Sequence, residues 1–328
     1  MRRRDFIGVI VGSAAAWPAP LRAQQPAMPV IGFLGTDSLK LYVPRLRAFH
    51  EGLRGTGYVE GRNVAFEYRW AEGHYNRLPA LVAELVSLNV NLIGAFAGNP
   101  PVLAAKTATS TIPILFVTSA DPVATGLVAS LSRPGGNITG ATSLAVELGA
   151  KQLEVLHELV PTTRGLALLV NPIDQPRADR LVRELQAAAR VLGVELYVVR
   201  ASSESELDMV FATLRGLRAD ALVVGADPFF NSRTEQLAAL AARHAVPTMY
   251  PFREYVFAGG LVSYGGSITK PYLLVGAYAG RIINGEKPTD LAVQQITKAE
   301  LVINLKTANA LGITIPRTLL GRADEVIE

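Results

Sequence analysis

From Val30 onward, short runs of β-branched residues alternate with longer stretches whose apolar residues recur at helical spacing, and this alternation restricts the fold more than any other feature. Strands are predicted at 30–34, 64–70, 92–97, 114–117 and 138–142. Between them, Leu46, Phe49, His50 and Leu53 form one apolar stripe before Gly55 and Gly57, and Leu78, Leu81, Val82, Leu85 and Leu88 form the next. Strands that alternate with helices build βαβ units and a parallel sheet.

The same grammar restarts after Glu147. A helix through Leu153, Leu156 and Leu159 stops at Pro161, and strands at 166–170, 195–200, 221–224 and 248–250 alternate with helices near 177–192, 204–217 and 232–245. A further strand at 260–264 and a helix over 272–284, ended by Gly285, complete the pattern. A chain of 328 residues, 49% apolar, has material for two cores of ordinary domain size. The expected class is therefore α/β, with two Rossmann-like lobes built on parallel sheets. No charge run or Pro/Ser-rich stretch separates the halves, so short hinge strands rather than a flexible tether should join them.

Four strands lead within a few residues to an Asx-Pro pair: Asn99-Pro100, Asp121-Pro122, Asn171-Pro172 and Asp227-Pro228. Each suits helix initiation, because the Asx side chain accepts a bond from a free first-turn amide while Pro gives up no needed donor. Each pair also follows a strand's carboxyl end, where open α/β sheets bind ligands and helix amino termini present free N–H groups. Two facing sheets would aim these loops into one cleft. The candidate ligand-binding residues are Thr36, Asp37, Asn99, Ser119, Asp121, Ser143, Asn171, Asp227, Arg253 and Tyr264, with Glu254 beside them. Hydroxyls and helix amino termini suit a carboxylate, and aspartates suit an ammonium or hydroxyl. Tyr42, Phe96, Phe229 and Phe230 lie at or near the same strand ends, where they serve the core or stack on a ligand.

Charge is unevenly placed. Four of the 32 basic and one of the 28 acidic residues fall in the first 23 positions, leaving 28 against 27 in the remainder. That first segment has a basic start, an apolar run over 8–17 and a small residue, Ala23, before Gln24. A run of about 10 apolar residues falls short of the ~20 that span a bilayer, so residues 1–23 read as a cleaved export signal. Arg3-Arg4-Asp5-Phe6-Ile7 points to the twin-arginine route, with ordinary secretion as the alternative. The expected location is the periplasm. With no cysteine, the chain has no disulfide, thiolate metal site or lipid-modified cysteine.

Catalytic motifs are absent. There is no Gly-x-x-x-x-Gly-Lys-Ser/Thr phosphate loop, Gly-x-Ser-x-Gly elbow or His-Glu-x-x-His helix. Ser267-Ile-Thr-Lys270 has the Ser-x-x-Lys spacing without its companion motifs and reads as a helix cap. The four histidines are scattered, so neither a metal site nor a general base is indicated. No catalytic residue, cofactor or metal is expected, and with no helix-turn-helix before Val30, no nucleic acid either.

Several segments carry a family resemblance. Arg133-Pro-Gly-Gly-Asn-Ile-Thr-Gly140, Ser119-Ala-Asp-Pro-Val123, Gly57-Tyr-Val-Glu-Gly-Arg-Asn63 and the tail Asn304-Leu-Lys-Thr-Ala-Asn-Ala-Leu-Gly-Ile-Thr-Ile-Pro316 closely resemble the ABC-transporter substrate-binding family, its tryptophan/tyrosine-type members above all. The resemblance runs in order along the whole chain after the export segment. It implies a type I periplasmic-binding fold with a three-strand hinge, one lobe taking 29–144 plus 255–288 and the other 145–254 plus 289–328. It implies a monomer that captures a small molecule, an amino acid or small carboxylate, and partners with ABC permease subunits. A ligand-loaded sensor for a receptor and an exported α/β enzyme are the alternatives. Asn99-Pro100-Pro101 departs from the Thr-Pro and small residues that similar chains often carry, which leaves the ligand open.

Overall fold

The β-branched runs of the first half form strands with both faces covered. A computed structural model describes residues 28–96, 98–143, 148–296 and 298–328; the segment 1–23, predicted to be an export signal, lies outside the described residues. In chain order the first half runs β1 (Val30–Gly35), α1 (Leu39–Arg54), β2 (Ala65–Trp70), α2 (Leu78–Ser87), β3 (Leu92–Phe96), α3 (Asn99–Ala108), β4 (Ile114–Thr118) and β5 (Ile138–Ser143). Alternate residues of one strand feed opposite core layers. Leu92 and Phe96 of β3 join Phe33 and Tyr42, whereas Ile93 and Ala95 join Leu34 and Leu85. Burial on both faces is why these strands read as continuous apolar runs.

The second half repeats the plan with α4 (Gly149–Leu159), β6 (Gly165–Val170), α5 (Gln175–Leu192), β7 (Glu195–Arg200), α6 (Glu204–Thr213), β8 (Ala221–Val224), α7 (Pro228–Asn231), α8 (Thr234–Arg243), β9 (Thr248–Phe252), α9 (Arg253–Phe257) and β10 (Val262–Gly266). It continues through α10 (Lys270–Ile283), β11 (Gln294–Ile296), β12 (Glu300–Asn304), α11 (Leu305–Ala310), α12 (Arg317–Leu320) and β13 (Glu325–Ile327). Among the described residues, one sheet has the order β11-β5-β4-β3-β1-β2 and the other β13-β12-β10-β9-β8-β6-β7. Pairing is parallel except between β10 and β12. The fold is the expected α/β one, two mostly parallel sheets with alternating helices.

Sheet membership changes three times along the chain: after β5, after β10 and after β11. The first and third changes run through residues outside the described set, and the second runs through 267–269. Strand pairing corrects the expected lobe boundaries at two places. Residues 255–266 belong with the second sheet, because β10 bonds β9 on one side and β12 on the other. Residues 289–296 belong with the first, because β11 pairs with β5 and Thr139 Oγ1 donates to the Leu291 carbonyl at 2.6 Å.

Helix α10 returns from the second sheet to pack on α1, and glycines set their separation. A Cβ on Gly52 would lie 1.9 Å from the Leu273 carbonyl oxygen, and one on Gly276 would lie 2.1 Å from that of Phe49. Both clashes are with backbone, which no rotamer change relieves. Gly52→Ala is expected to lower stability by about 1–3 kcal/mol through overpacking, read from the urea midpoint, with the wild-type midpoint as the contrary result.

Candidate functional site

In the first sheet the strand order reverses between β1 and β3, and in the second between β6 and β8. Such switch points open a crevice at the strands' carboxyl ends. Four loops meet there, carrying Asp37 after β1, Gly98-Asn99 after β3, Asn171 after β6 and Asp227 after β8. Gly98 has φ 96° and ψ −170°, a conformation essentially reserved to glycine, and it turns the chain directly into α3. Asn99 Oδ1 accepts from Thr118 Oγ1 at 3.0 Å, fixing that side chain against β4.

On the opposite lobe, Asp227 caps α7. Its Oδ1 accepts from Phe229 N at 2.9 Å and from Asn171 Nδ2 at 2.9 Å. Helix α5 is capped by Asp174, whose side chain accepts from Arg177 N. Arg177 occupies the buried stripe of that helix with Ala178, Leu181, Leu185 and Ala189. A cavity of about 520 Å³ lies between the lobes, with Tyr75, Asn99, Pro100 and Leu103 on one wall and Asn171, Asp174, Arg177 and Asp227 on the other. Its volume is in the range of small-molecule sites. Gly98 and Pro228, from opposite lobes, line this cavity and also a second chamber of about 50 Å³.

Burial governs the charges. It pushes the Asp227 carboxyl above the ordinary aspartate range, against the pull of Arg177 and the bonds from Asn171 and Phe229 N. Burial likewise pushes the Arg177 guanidinium down, while Asp227 and Asp174 oppose it. Three arginines cross the cleft. Arg177 donates to Ser119 Oγ and Arg45 to the Asn231 carbonyl, while Arg233 pairs with Asp37 at 3.5 Å and lies 4.0 Å above the Phe229 ring. Burial raises the Asp37 carboxyl too, against Arg233 and Arg45.

Six of the sequence-derived candidates therefore lie where the lobes meet. Asn99, Asn171 and Asp227 line the larger cavity and Ser119 the smaller; Asp37 and Thr36 are buried at the β1 end. Ser143 ends β5, and its side chain is outside the described set. Three candidates fall elsewhere. Asp121 is exposed and caps its own turn, accepting from Val123 N at 2.8 Å and Ala124 N at 3.1 Å, while Ala120, Ala124 and Thr125 of that loop reach the cavity. Arg253 pairs with Glu300 at 2.5 Å and with Glu325, tying α9 to β12 and β13. Tyr264 packs against the second lobe's core, and its carbonyl accepts from Gln152 at 2.8 Å. Asp121→Ala is expected to leave ligand affinity unchanged in calorimetry; weaker binding would return Asp121 to the site.

Helix initiation follows the Asx-Pro pairs only in part. Asp227 is a helix cap, but Asn171 caps the amide of Ile173, ahead of the true α5 cap at Asp174, and Asn99 already lies inside α3. Ser267 Oγ accepts from Thr269 N and Lys270 N, so the Ser-x-x-Lys spacing is a cap at the start of α10. Tyr42, Phe96 and Phe230 are core, and Phe229 lies beneath Arg233. Sequence reasoning passed over Arg45, Tyr75, Arg177 and Arg233. For Arg45 a signal existed: it stands on the apolar stripe of Tyr42, Phe49 and Leu53, where a charge has to be explained.

No helix among the described residues is long and apolar enough to cross a membrane, and no group of three or more His, Asp or Glu among them could hold a metal ion. A family model described as ABC transporter substrate binding protein matches residues 28–327. The tyrosine-binding protein of Clostridioides difficile (strain R20291) is 27% identical over 266 residues, 81% of this chain and 75% of that protein. The structure of a conserved domain protein from Vibrio cholerae is similar at a TM-score of 0.79 and 27% identity, over 91% of this chain and 99% of that one. An ABC domain from Streptococcus pneumonia in complex with L-Trp is similar at 0.77 and 25% identity, with the same coverage of 91% and 99%.

Proposed function

Because this chain belongs to the ABC transporter substrate binding protein family, we propose that it captures an aromatic amino acid between its lobes in the periplasm and delivers it to an ABC permease. It is a substrate-binding protein rather than an enzyme, as its tyrosine-binding relative is. The observation that carries the ligand assignment is the placement of Asp227 and Arg177, opposite charges, on the same wall of an interlobe cavity of about 520 Å³. Both bonds to Asp227 go to Oδ1, which leaves Oδ2 for an ammonium. Arg177 suits a carboxylate; α3 opposite adds little to it, because Pro100 and Pro101 in its first turn carry no N–H. Tyr75, Pro100, Leu103 and Ile173 supply apolar and aromatic surface for a ring. The names of the relatives, one tyrosine-binding and one holding L-Trp, agree with that chemistry.

In this reading, residues 28–143 with 270–296, and 149–266 with 298–328, move as two bodies. A ligand that touches both favours the closed form, and a permease reads the closed outer surface. The basic, apolar, alanine-ended segment 1–23 and the near-neutral remainder support export. The protein acts as a monomer. A thermal-shift panel of amino acids on protein purified without refolding tests the reading. An aromatic amino acid at 100 times its Kd adds about 2.7 kcal/mol and raises Tm by several degrees. No shift with any amino acid would refute it. Loss of labelled amino-acid uptake on gene deletion separates delivery to a permease from a sensing role.

A further inference from the structure

Arg45 is buried, 6% exposed, yet among the described residues no carboxylate lies within 4 Å of it. Its guanidinium donates to two main-chain carbonyls, Leu41 of its own helix at 3.0 Å and Asn231 across the cleft, and lies 5.1 Å from the centre of the Tyr42 ring. Buried charges are ordinarily paired, because carbonyl contacts do not neutralise them. The nearby acid Asp37 is already engaged with Arg233. Arg233 also holds Glu204 at 3.2 Å, so it has two acids within reach, whereas Arg45 has none within 4 Å among the described residues.

Arg45 lines the chamber of about 50 Å³ together with Thr118, Ser119, Ser267 and Tyr272. A single water needs about 10–15 Å³, so the chamber fits a carboxylate group or a halide with a water and excludes a whole amino acid. Its hydroxyls are unequal. Thr118 donates to Asn99 and Ser267 to Glu254, so both protons are used. Ser119 instead accepts from Arg177, which frees its O–H to donate into the chamber. Glu254, the acid of the neighbouring wall, directs Oε1 to Ser267, Ile268 N and Thr269 N and does not line the chamber.

We propose that this chamber is an anion site built on Arg45 and the Ser119 hydroxyl, taking one singly charged group whose arrival favours the closed lobes. The chemistry is the same whether the charge is a free halide or the solute's own carboxylate. The second source rests on the amino-acid reading above and seats the carboxylate at Arg45 and Ser119, with Arg177 acting on it through the Ser119 hydroxyl that it holds; the first is independent of that reading.

Two arms and one diffraction measurement separate the outcomes. In the first arm, chloride or bromide replaces gluconate at constant ionic strength, without solute. A rise in Tm for wild type and Arg45→Lys that disappears in Arg45→Gln assigns the site to a free anion. In the second arm, calorimetry in gluconate compares L-tyrosine with tyramine. A tenfold or greater loss of L-tyrosine affinity in Arg45→Gln, with tyramine unchanged, assigns it to the solute carboxylate. An anomalous bromide peak beside the Arg45 guanidinium in wild-type crystals supports the free-anion source without any variant. The proposal is overturned if halides leave wild-type Tm unchanged, no bromide peak is present, and wild type and Arg45→Lys bind L-tyrosine no better than tyramine. It is equally overturned if folded Arg45→Gln keeps the wild-type halide response and the wild-type preference for L-tyrosine. If wild type ignores L-tyrosine, the amino-acid reading fails while the halide arm still decides the anion site.

Discussion

Asp227→Ala is expected to lose measurable amino-acid binding and to unfold at a lower urea concentration than the wild type. The substitution strands two donors, Asn171 Nδ2 and Phe229 N, and removes the carboxylate that most offsets the buried Arg177 charge. Each buried group left without a partner costs about 1–3 kcal/mol. Asp227→Asn separates structure from recognition, since its amide oxygen still accepts from Phe229 N. That variant should keep most of the stability and lose about 1.5–3 kcal/mol of binding with the charge, roughly tenfold to a hundredfold in Kd. Wild-type affinity in Asp227→Asn would reduce the residue to a helix cap.

Gly98→Ala should weaken binding by acting on closure rather than on a ligand contact. Its backbone conformation is nearly exclusive to glycine, so any side chain costs on the order of 1–3 kcal/mol in strain. A Cβ there would also approach Pro228 Cγ of the opposite lobe to 3.2 Å, a contact made only when the lobes are together. Strain lowers Tm whatever the lobe positions, whereas the contact penalises the closed form and reduces apparent affinity roughly tenfold for each 1.4 kcal/mol. Calorimetry beside small-angle scattering reads both effects. Unchanged affinity with a lowered Tm would confine Gly98 to a local backbone role.

How far these features could be read before the structure depends on where their determinants lie. The alternation of strands and helices is local, so segments such as Gly165–Val170 and Glu195–Arg200 announce themselves by composition and spacing. The three-residue strand Gln294–Ile296 does not: it is too short for a period, and its partner β5 lies about 150 residues earlier. That is why the lobe boundary near 288 needed correction. Asp121 and Asp227 share the same Asp-Pro signature, yet one is a solvated turn cap and the other is 7% exposed beside a buried arginine. Only neighbours distant in sequence distinguish them. Arg177 presents the converse case, since a charge in the first turn of a helix reads as solvated until Ser119 of the other lobe covers it.

The central claim is that the cleft recognises both charges of an amino acid, and calorimetry on protein purified without refolding tests it most directly. The aromatic amino acid that stabilises the protein most should be titrated beside the matching amine, which lacks the carboxylate, and the matching acid, which lacks the ammonium. With Asp227 and Arg177 as the recognising pair, the amino acid should bind with a clear heat and each truncated analogue should bind at least roughly tenfold more weakly. Equal binding of all three, or no heat from any amino acid with the fold intact, would contradict the account.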